Sequence, residues 1–278
     1  MTAVMQAHVI PQLGARRLSG LSRFDLQMRL NSIDQKYSGS MLSKVRTWLK
    51  AILDEAVDQG YLEKNPARKL ELPQARESST RFLTLKEIGR LLSATAGRDH
   101  LILRLFIQCG LRPREIFAAR WGNFTGSQLC ITEAVSKAAH GRAIGKTKTP
   151  ASKNAVALPA ALVALMREWR QAQKGTPADD AFIFPSRRGG PNRYSANYLK
   201  RFLRPLAEKL GIPGINYQVF RRTFSTHFQR HATIKETQTQ MRHTYAATTL
   251  GIYTQTIPEG LASAAESWDR EIHQRFEH

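Results

Sequence analysis

The chain has 278 residues, 42% hydrophobic and 23% charged, enough to bury a core without staples and too apolar for a disordered segment. Forty-two Lys and Arg against 22 Asp and Glu give a net charge of +20, a field that attracts polyanions. Two cysteines, Cys109 and Cys130, exclude a disulfide framework and a four-thiolate zinc site. No apolar run reaches the length of a membrane span or has the form of a signal peptide, so a soluble cytoplasmic protein is expected, nucleoid-associated if bacterial, with no membrane partner.

In chain order, Ser22 is placed to cap a helix carrying Phe24, Leu26, Met28, Leu30 and Ile33. A second helix is predicted from near Ser40, with Leu42, Val45, Leu49, Ile52, Leu53 and Ala56 at helical spacing and Gly60 at its end. Residues 1–72 therefore read as a small helical domain. Residues 73–80, Pro-Gln-Ala-Arg-Glu-Ser-Ser-Thr, lack any large apolar side chain and read as a linker to a second domain over 81–278.

The second domain opens with a capping box, Thr84 to Glu87, before Leu85, Ile88, Leu91 and Leu92. A buried helix from Leu101 to Gln108 is predicted to stop at Gly110. Pro113 suits a first helical turn, so a third helix is expected over Glu115 to Trp121. Two short β-like runs, 129–132 and 155–158, flank a stretch rich in Gly, Thr, Ser and Lys from Gly141 to Lys153. This predicts a small antiparallel sheet with a basic turn. Helices resume over Ala160 to Gln173 and Ser195 to Leu210, with others holding Phe220 to Phe228, Ile234 to Gln240 and 259–274. The fold class expected is mainly α with a small antiparallel sheet. Ala134 to Arg204 holds 14 basic and 3 acidic residues, which places the strongest polyanion surface in the middle of the second domain.

Three clusters set Arg or His among apolar residues at helix edges: 110–116 (Gly-Leu-Arg-Pro-Arg-Glu-Ile), 220–227 (Phe-Arg-Arg-Thr-Phe-Ser-Thr-His) and 241–253, which runs from Met-Arg-His to Gly-Ile-Tyr. Any one of them alone reads as a packed surface arginine. Taken in order with Thr147-Lys148-Thr149, they resemble the catalytic domain of the tyrosine recombinases, most nearly the phage-integrase branch. The segment before the linker is similar to that family's helical core-binding domain, with 10–14 (Ile-Pro-Gln-Leu-Gly) and 65–67 (Asn-Pro-Ala) as its marks.

The resemblance implies a site-specific DNA recombinase or integrase of a mobile element that cuts and rejoins double-stranded DNA through a 3′-phosphotyrosine. It implies Tyr253 as nucleophile, Arg112 and Arg221 as the paired arginines, Lys148 as the β-hairpin lysine, His243 as the late histidine and Glu115 as a supporting carboxylate. It also implies a two-domain clamp on DNA, four subunits on paired sites, accessory DNA-bending proteins and a C-terminal helix docking on a neighbouring subunit. No arm-binding module is expected before the core-binding part. Where the family has His or Lys three residues before the second arginine, this chain has Gln218, which donates a hydrogen bond but takes up no proton near pH 7.

The chemistry these residue types offer is consistent in itself. Attack on a phosphodiester builds charge on the non-bridging oxygens, which two guanidinium forks neutralise. A phenolate forms a covalent phosphoester, and a lysine on a turn protonates the departing 5′-oxygen. No cofactor and no metal is expected. Tyr245 competes with Tyr253, and Lys146 and Lys153 compete with Lys148. Two rival functions remain: a resolvase or topoisomerase using the same chemistry, and a weakened integrase relic that binds DNA, which Gln218 favours.

Overall fold

The structure is a computed structural model. It describes residues 5–34, 39–72, 81–138, 141–146, 155–173, 175–186, 190–191 and 195–243. The chain divides into two compact units, Met1–Ser79 and Thr80–His278. The linker read over 73–80 lies outside the described residues, as does the helix read over 259–274.

In the first unit, Ser22 caps the helix Arg23–Asp34, its Oγ accepting from Asp25 N at 3.1 Å. Leu26, Leu30 and Ile33 turn inward from it and pack on Leu42, Val45, Leu49 and Leu53 of the helix Gly39–Asp58. Phe24 and Met28, four residues apart, fall on the opposite face and stay exposed. A helical stretch that the sequence reading passed over, Met5–Val9 in a π turn continued by Ile10–Leu13, adds Met5, Val9 and Leu13 to the same core. The Asn-Pro-Ala turn is held by one side chain. Asn65 Nδ2 donates to Lys50 O (2.9 Å) and Asp54 Oδ1 (2.7 Å), while its Oδ1 accepts from Ala67 N (2.7 Å).

The second unit begins with the expected capping box, in which Thr84 and Glu87 satisfy each other's backbone N–H and start the helix Leu85–Ser93. The next helix, Gly97–Cys109, starts four residues before the predicted point and is buried along most of its length. It ends at Gly110 in the left-handed conformation, φ 58°. The helix expected over Glu115 to Trp121 is a single turn, Pro113–Ile116, followed by a 3-10 turn at Trp121–Asn123. Trp121 N donates to Ala181 O and Ile183 N to Ala119 O, and those bonds to a distant segment replace the helical ones.

The sheet is two separate antiparallel pairs. β1 (Gln128–Cys130) lies against β4 (Ala155–Ala157), with Leu129 opposite Val156, both fully buried. β2 (Glu133–Ala138) and β3 (Gly141–Lys146) form a hairpin with Val135 opposite Ile144. Residues 141–146, expected as part of a basic turn, are therefore a strand. Gly, Arg, Ala and Lys carry little strand propensity, and pairing with β2 overrides it.

The helix Ala160–Ala172 follows. The stretch predicted as one helix from Ser195 contains a π turn, Leu199–Leu203, between Ser195–Tyr198 and Arg204–Lys209. Pro205 has no N–H and crowds the carbonyl four residues back, and the widened turn absorbs this. Tyr217–Phe228 is buried on nearly all sides. It is capped by Asn216, whose Oδ1 accepts from Gln218 N and Val219 N. Phe220 stacks on Phe106 with centroids 5.4 Å apart, fixing this helix to Gly97–Cys109. Ile234–Met241 closes the described chain, started by a second capping box at Thr233 and Glu236. Among the described residues no helix is long and apolar enough to cross a membrane.

Candidate active site

Three segments converge. The helix Gly97–Cys109 delivers Gly110 to Glu115, Tyr217–Phe228 delivers Arg221, and Ile234–Met241 delivers Arg242 and His243. Gly110 is placed by its own backbone: a Cβ at this position would run into the ring of Phe224. The third segment is tied to β4 by Gln240, whose Nε2 donates to Ala157 O (2.8 Å) and whose Oε1 accepts from Ala157 N (3.2 Å).

Arg112 precedes the single turn Pro113–Ile116. Its backbone N donates to Glu115 Oε2 (2.8 Å) and its Nη1 to Glu115 Oε1 (2.9 Å). The Arg112 side chain is 37% exposed, whereas that of Glu115 is 4% exposed, so the guanidinium reaches toward solvent from a buried carboxylate. Burial pushes the Glu115 carboxyl up, but the charges of Arg242 and Arg112 outweigh it and hold the group below the usual range.

Arg221 is buried. Its Nη1 donates to Gly110 O, and its Nη2 lies 2.6 Å from His243 Nε2. A guanidinium has no acceptor, so His243 Nε2 accepts, and the ring proton is assigned to Nδ1 from this hydrogen-bond pattern. Burial, followed by the charges of Arg221, Arg112 and Arg242, pulls the imidazole down to about 3, so it is neutral at physiological pH.

Of the residues singled out in the sequence, the structure brings together Arg112, Glu115, Arg221 and His243. Gln218 stands three residues before Arg221, on the same side of the helix and exposed. Lys148, two residues beyond the end of β3, lies outside the described residues, as do Tyr253 and its competitor Tyr245 and the rival Lys153.

One participant was given no role in the sequence reading. Arg242 is wholly buried, and its Nη2 meets Glu115 Oε2 at 2.5 Å. The sequence marks it only as the arginine beside His243 in the 241–253 cluster, because its left-handed backbone (φ 54°) and its bond to Glu115 carry no local signal. His227 is turned to a different task. Its Nε2 bonds to Leu83 O (2.8 Å), and Thr223 Oγ1 accepts from Leu83 N (2.8 Å), so the Arg221 helix grips the start of this unit.

The Phage integrase family model matches residues 81–259. The chain belongs to the phage integrase family of tyrosine recombinases. It is 24% identical to a tyrosine recombinase XerC-like protein of Caldanaerobacter subterraneus subsp. tengcongensis, covering 92% of this chain and 73% of that protein. It is 28% identical to tyrosine recombinase XerC of Shewanella amazonensis, covering 87% and 79%. Among solved structures, the Tn1549 transposon integrase in complex with a circular intermediate DNA superposes with a TM-score of 0.79 at 16% identity, over 95% of this chain and 91% of that one. XerH bound to a palindromic substrate gives a TM-score of 0.64 at 17% identity, over 91% and 74%. At such identity these structures share the fold.

Proposed function

We propose that this DNA strand transferase is a site-specific recombinase that cuts and rejoins double-stranded DNA through a 3′-phosphotyrosine. The observation that carries the reading is the convergence of Arg112 and Arg221, far apart in sequence, on one buried carboxylate and one neutral histidine. With Arg112, Arg221 and Arg242 positive, Glu115 negative and His243 neutral, the cluster carries two net positive charges. The pentacoordinate phosphorane formed by a phenolate on a phosphodiester carries two negative charges, so the site matches the transition state better than the singly charged substrate.

In this reading the Tyr253 phenol gives up its proton to water, its oxygen attacks phosphorus and the bond to the 5′-oxygen breaks. Lys148 supplies the proton that the departing 5′-hydroxyl needs. Arg112, the more exposed of the two arginines, and Arg221 receive the non-bridging oxygens. His243 holds Arg221 through Nε2, and Nδ1 is the ring nitrogen able to donate. Rejoining reverses these steps, so the phosphoester conserves the bond energy and no nucleotide triphosphate is consumed. The similar structures solved with DNA and the net charge of +20 support duplex DNA as partner. A core-binding role for the helical unit 1–72, a tetramer on paired sites and accessory DNA-bending proteins belong to the same proposal.

Gln218 favours a second reading, a slow or weakened recombinase that binds DNA. An exposed amide at the head of the Arg221 helix hydrogen-bonds a phosphate oxygen but accepts no proton from tyrosine. Single-turnover cleavage of a nicked duplex, enriched from a random pool by binding to the protein, separates the two. On the first reading wild type cleaves, and Arg112→Ala and Arg221→Ala lose about 10² to 10³ in rate or more with binding retained. Binding without cleavage by wild type favours the second.

A further inference from the structure

Arg242 is, among the described residues, the one non-glycine residue with a positive φ. Its backbone ends the helix Ile234–Met241, Arg242 N donating to Thr239 O (3.0 Å) and His243 N to Gln238 O (3.1 Å). Glycine would make the same two bonds without strain. The arginine adds a left-handed backbone with a Cβ, a fully buried guanidinium, and an Nε that has no partner among the described residues. Capping the helix therefore does not account for the side chain.

Its contacts do. Nη2 meets Glu115 Oε2 at 2.5 Å and Nη1 donates to Gln240 O at 3.1 Å, so the guanidinium bridges the helix end to the carboxylate. Glu115 Oε2 also accepts from Arg112 N, and Oε1 accepts from Arg112 Nη1. Both oxygens of one buried carboxylate are thus committed, Oε2 to Arg242 and the Arg112 backbone and Oε1 to the Arg112 side chain.

We infer that Arg242 is a positioning residue for strand transfer. It locks the plane of the Glu115 carboxylate, and Glu115 in turn aims the exposed Arg112 guanidinium at the scissile phosphate. The inference deepens the strand-transfer reading and rests on it. Without Arg242, Glu115 keeps its two bonds to Arg112 but loses its tie to the helix end, so the carboxylate and the Arg112 guanidinium are free to shift together. A misplacement of about 1 Å in a charge-stabilising group is enough to cost roughly 10²-fold in rate.

The test uses the full chain with Arg242→Gly, which keeps the cap. Duplex affinity is expected to stay within about three-fold of wild type while single-turnover cleavage falls roughly 10²-fold. Methylguanidinium at millimolar concentration, entering the vacated site, is expected to restore cleavage at least several-fold in Arg242→Gly but not in Arg112→Ala. Cleavage by Arg242→Gly at the wild-type rate overturns the inference, and so does a loss that methylguanidinium leaves unchanged. If Arg242→Gly fails to fold, Arg242→Lys takes its place, since an ammonium keeps the charge but cannot span Glu115 and Gln240 together; the same drop in rate is expected. A readout independent of chemistry separates this inference from the function it rests on. Side-chain 15N relaxation of Arg112 Nε–H is expected to show increased mobility in the variant. Unchanged Arg112 mobility contradicts the positioning role even where wild type fails to cleave, an outcome that by itself contradicts only the strand-transfer reading.

Discussion

Replacing Gly110 by Ala tests how tightly the fold and the site are joined. Gly110 has φ 58° and ψ 25°, and a Cβ in this left-handed region costs about 1 kcal/mol or slightly more. The added methyl also meets the ring of Phe224, which is buried and stacked on Phe228 with centroids 4.7 Å apart, so the ring has nowhere to swing. Overpacking of this kind costs about 1–3 kcal/mol, for a total of about 2–4 kcal/mol. With a urea dependence of about 1–3 kcal/mol per molar, the unfolding midpoint should fall by roughly 1 M or more. Because Gly110 O accepts from Arg221 Nη1, cleavage by the folded fraction should fall as well. Gly89→Ala is the control: Gly89 is helical, exposed and has open space around its Cβ, so the change should add about 0.5–1 kcal/mol. A Gly110→Ala midpoint close to wild type, with cleavage intact, would refute the placement of Arg221 against this carbonyl.

Three further outcomes are expected. The folded-state value of His243, about 3, lies below that of the unfolded chain. Its neutral ring therefore contributes stability that is complete above about pH 6.5 and drains as pH falls toward 3. Between pH 7 and 5 the loss is at most about 2 kcal/mol. Urea midpoints should show this acid-side loss in wild type and a smaller one in His243→Gln, and parallel pH dependences would contradict the buried neutral histidine. Gln218→His should raise single-turnover cleavage by roughly ten-fold or more if a missing proton acceptor limits the enzyme; no change with an active wild type places the acceptor elsewhere. Non-specific duplex affinity should fall about 10² to 10³-fold between 50 and 200 mM salt, as release of counterions from roughly five phosphates requires; a flat salt response in a binding titration excludes the basic surface as the contact.

The helices were legible where local signals agree. Thr84 and Glu87 announce their capping box, Gly110 marks a helix end, and the apolar residues of 24–33 announce the helix Arg23–Asp34, of which Leu26, Leu30 and Ile33 turn inward. The misses occurred where distant pairing decides the outcome. Residues 141–146 become a strand because β2 lies beside them, and the helix expected to run to Trp121 stops at Ile116 because Ala181 and Ile183 take up the backbone groups of Trp121 and Ala119. The site was legible through resemblance more than through local chemistry. Arg112, Glu115, Arg221 and His243 look like packed surface residues until their segments are seen to meet. Arg242 is visible as the neighbour of His243, but its role depends on a backbone conformation that arginine seldom adopts and on a carboxylate far away in the chain.

The covalent bond between Tyr253 and DNA can be trapped. Incubation with a nicked duplex that loses its cleaved 5′ fragment traps the intermediate, and a denaturing gel followed by peptide mass spectrometry locates it. A DNA 3′-phosphate on Tyr253 and a released 5′-hydroxyl are expected, with complete loss of the adduct in Tyr253→Phe while duplex binding persists. An adduct that survives Tyr253→Phe, or maps to Tyr245, would contradict Tyr253 as the nucleophile.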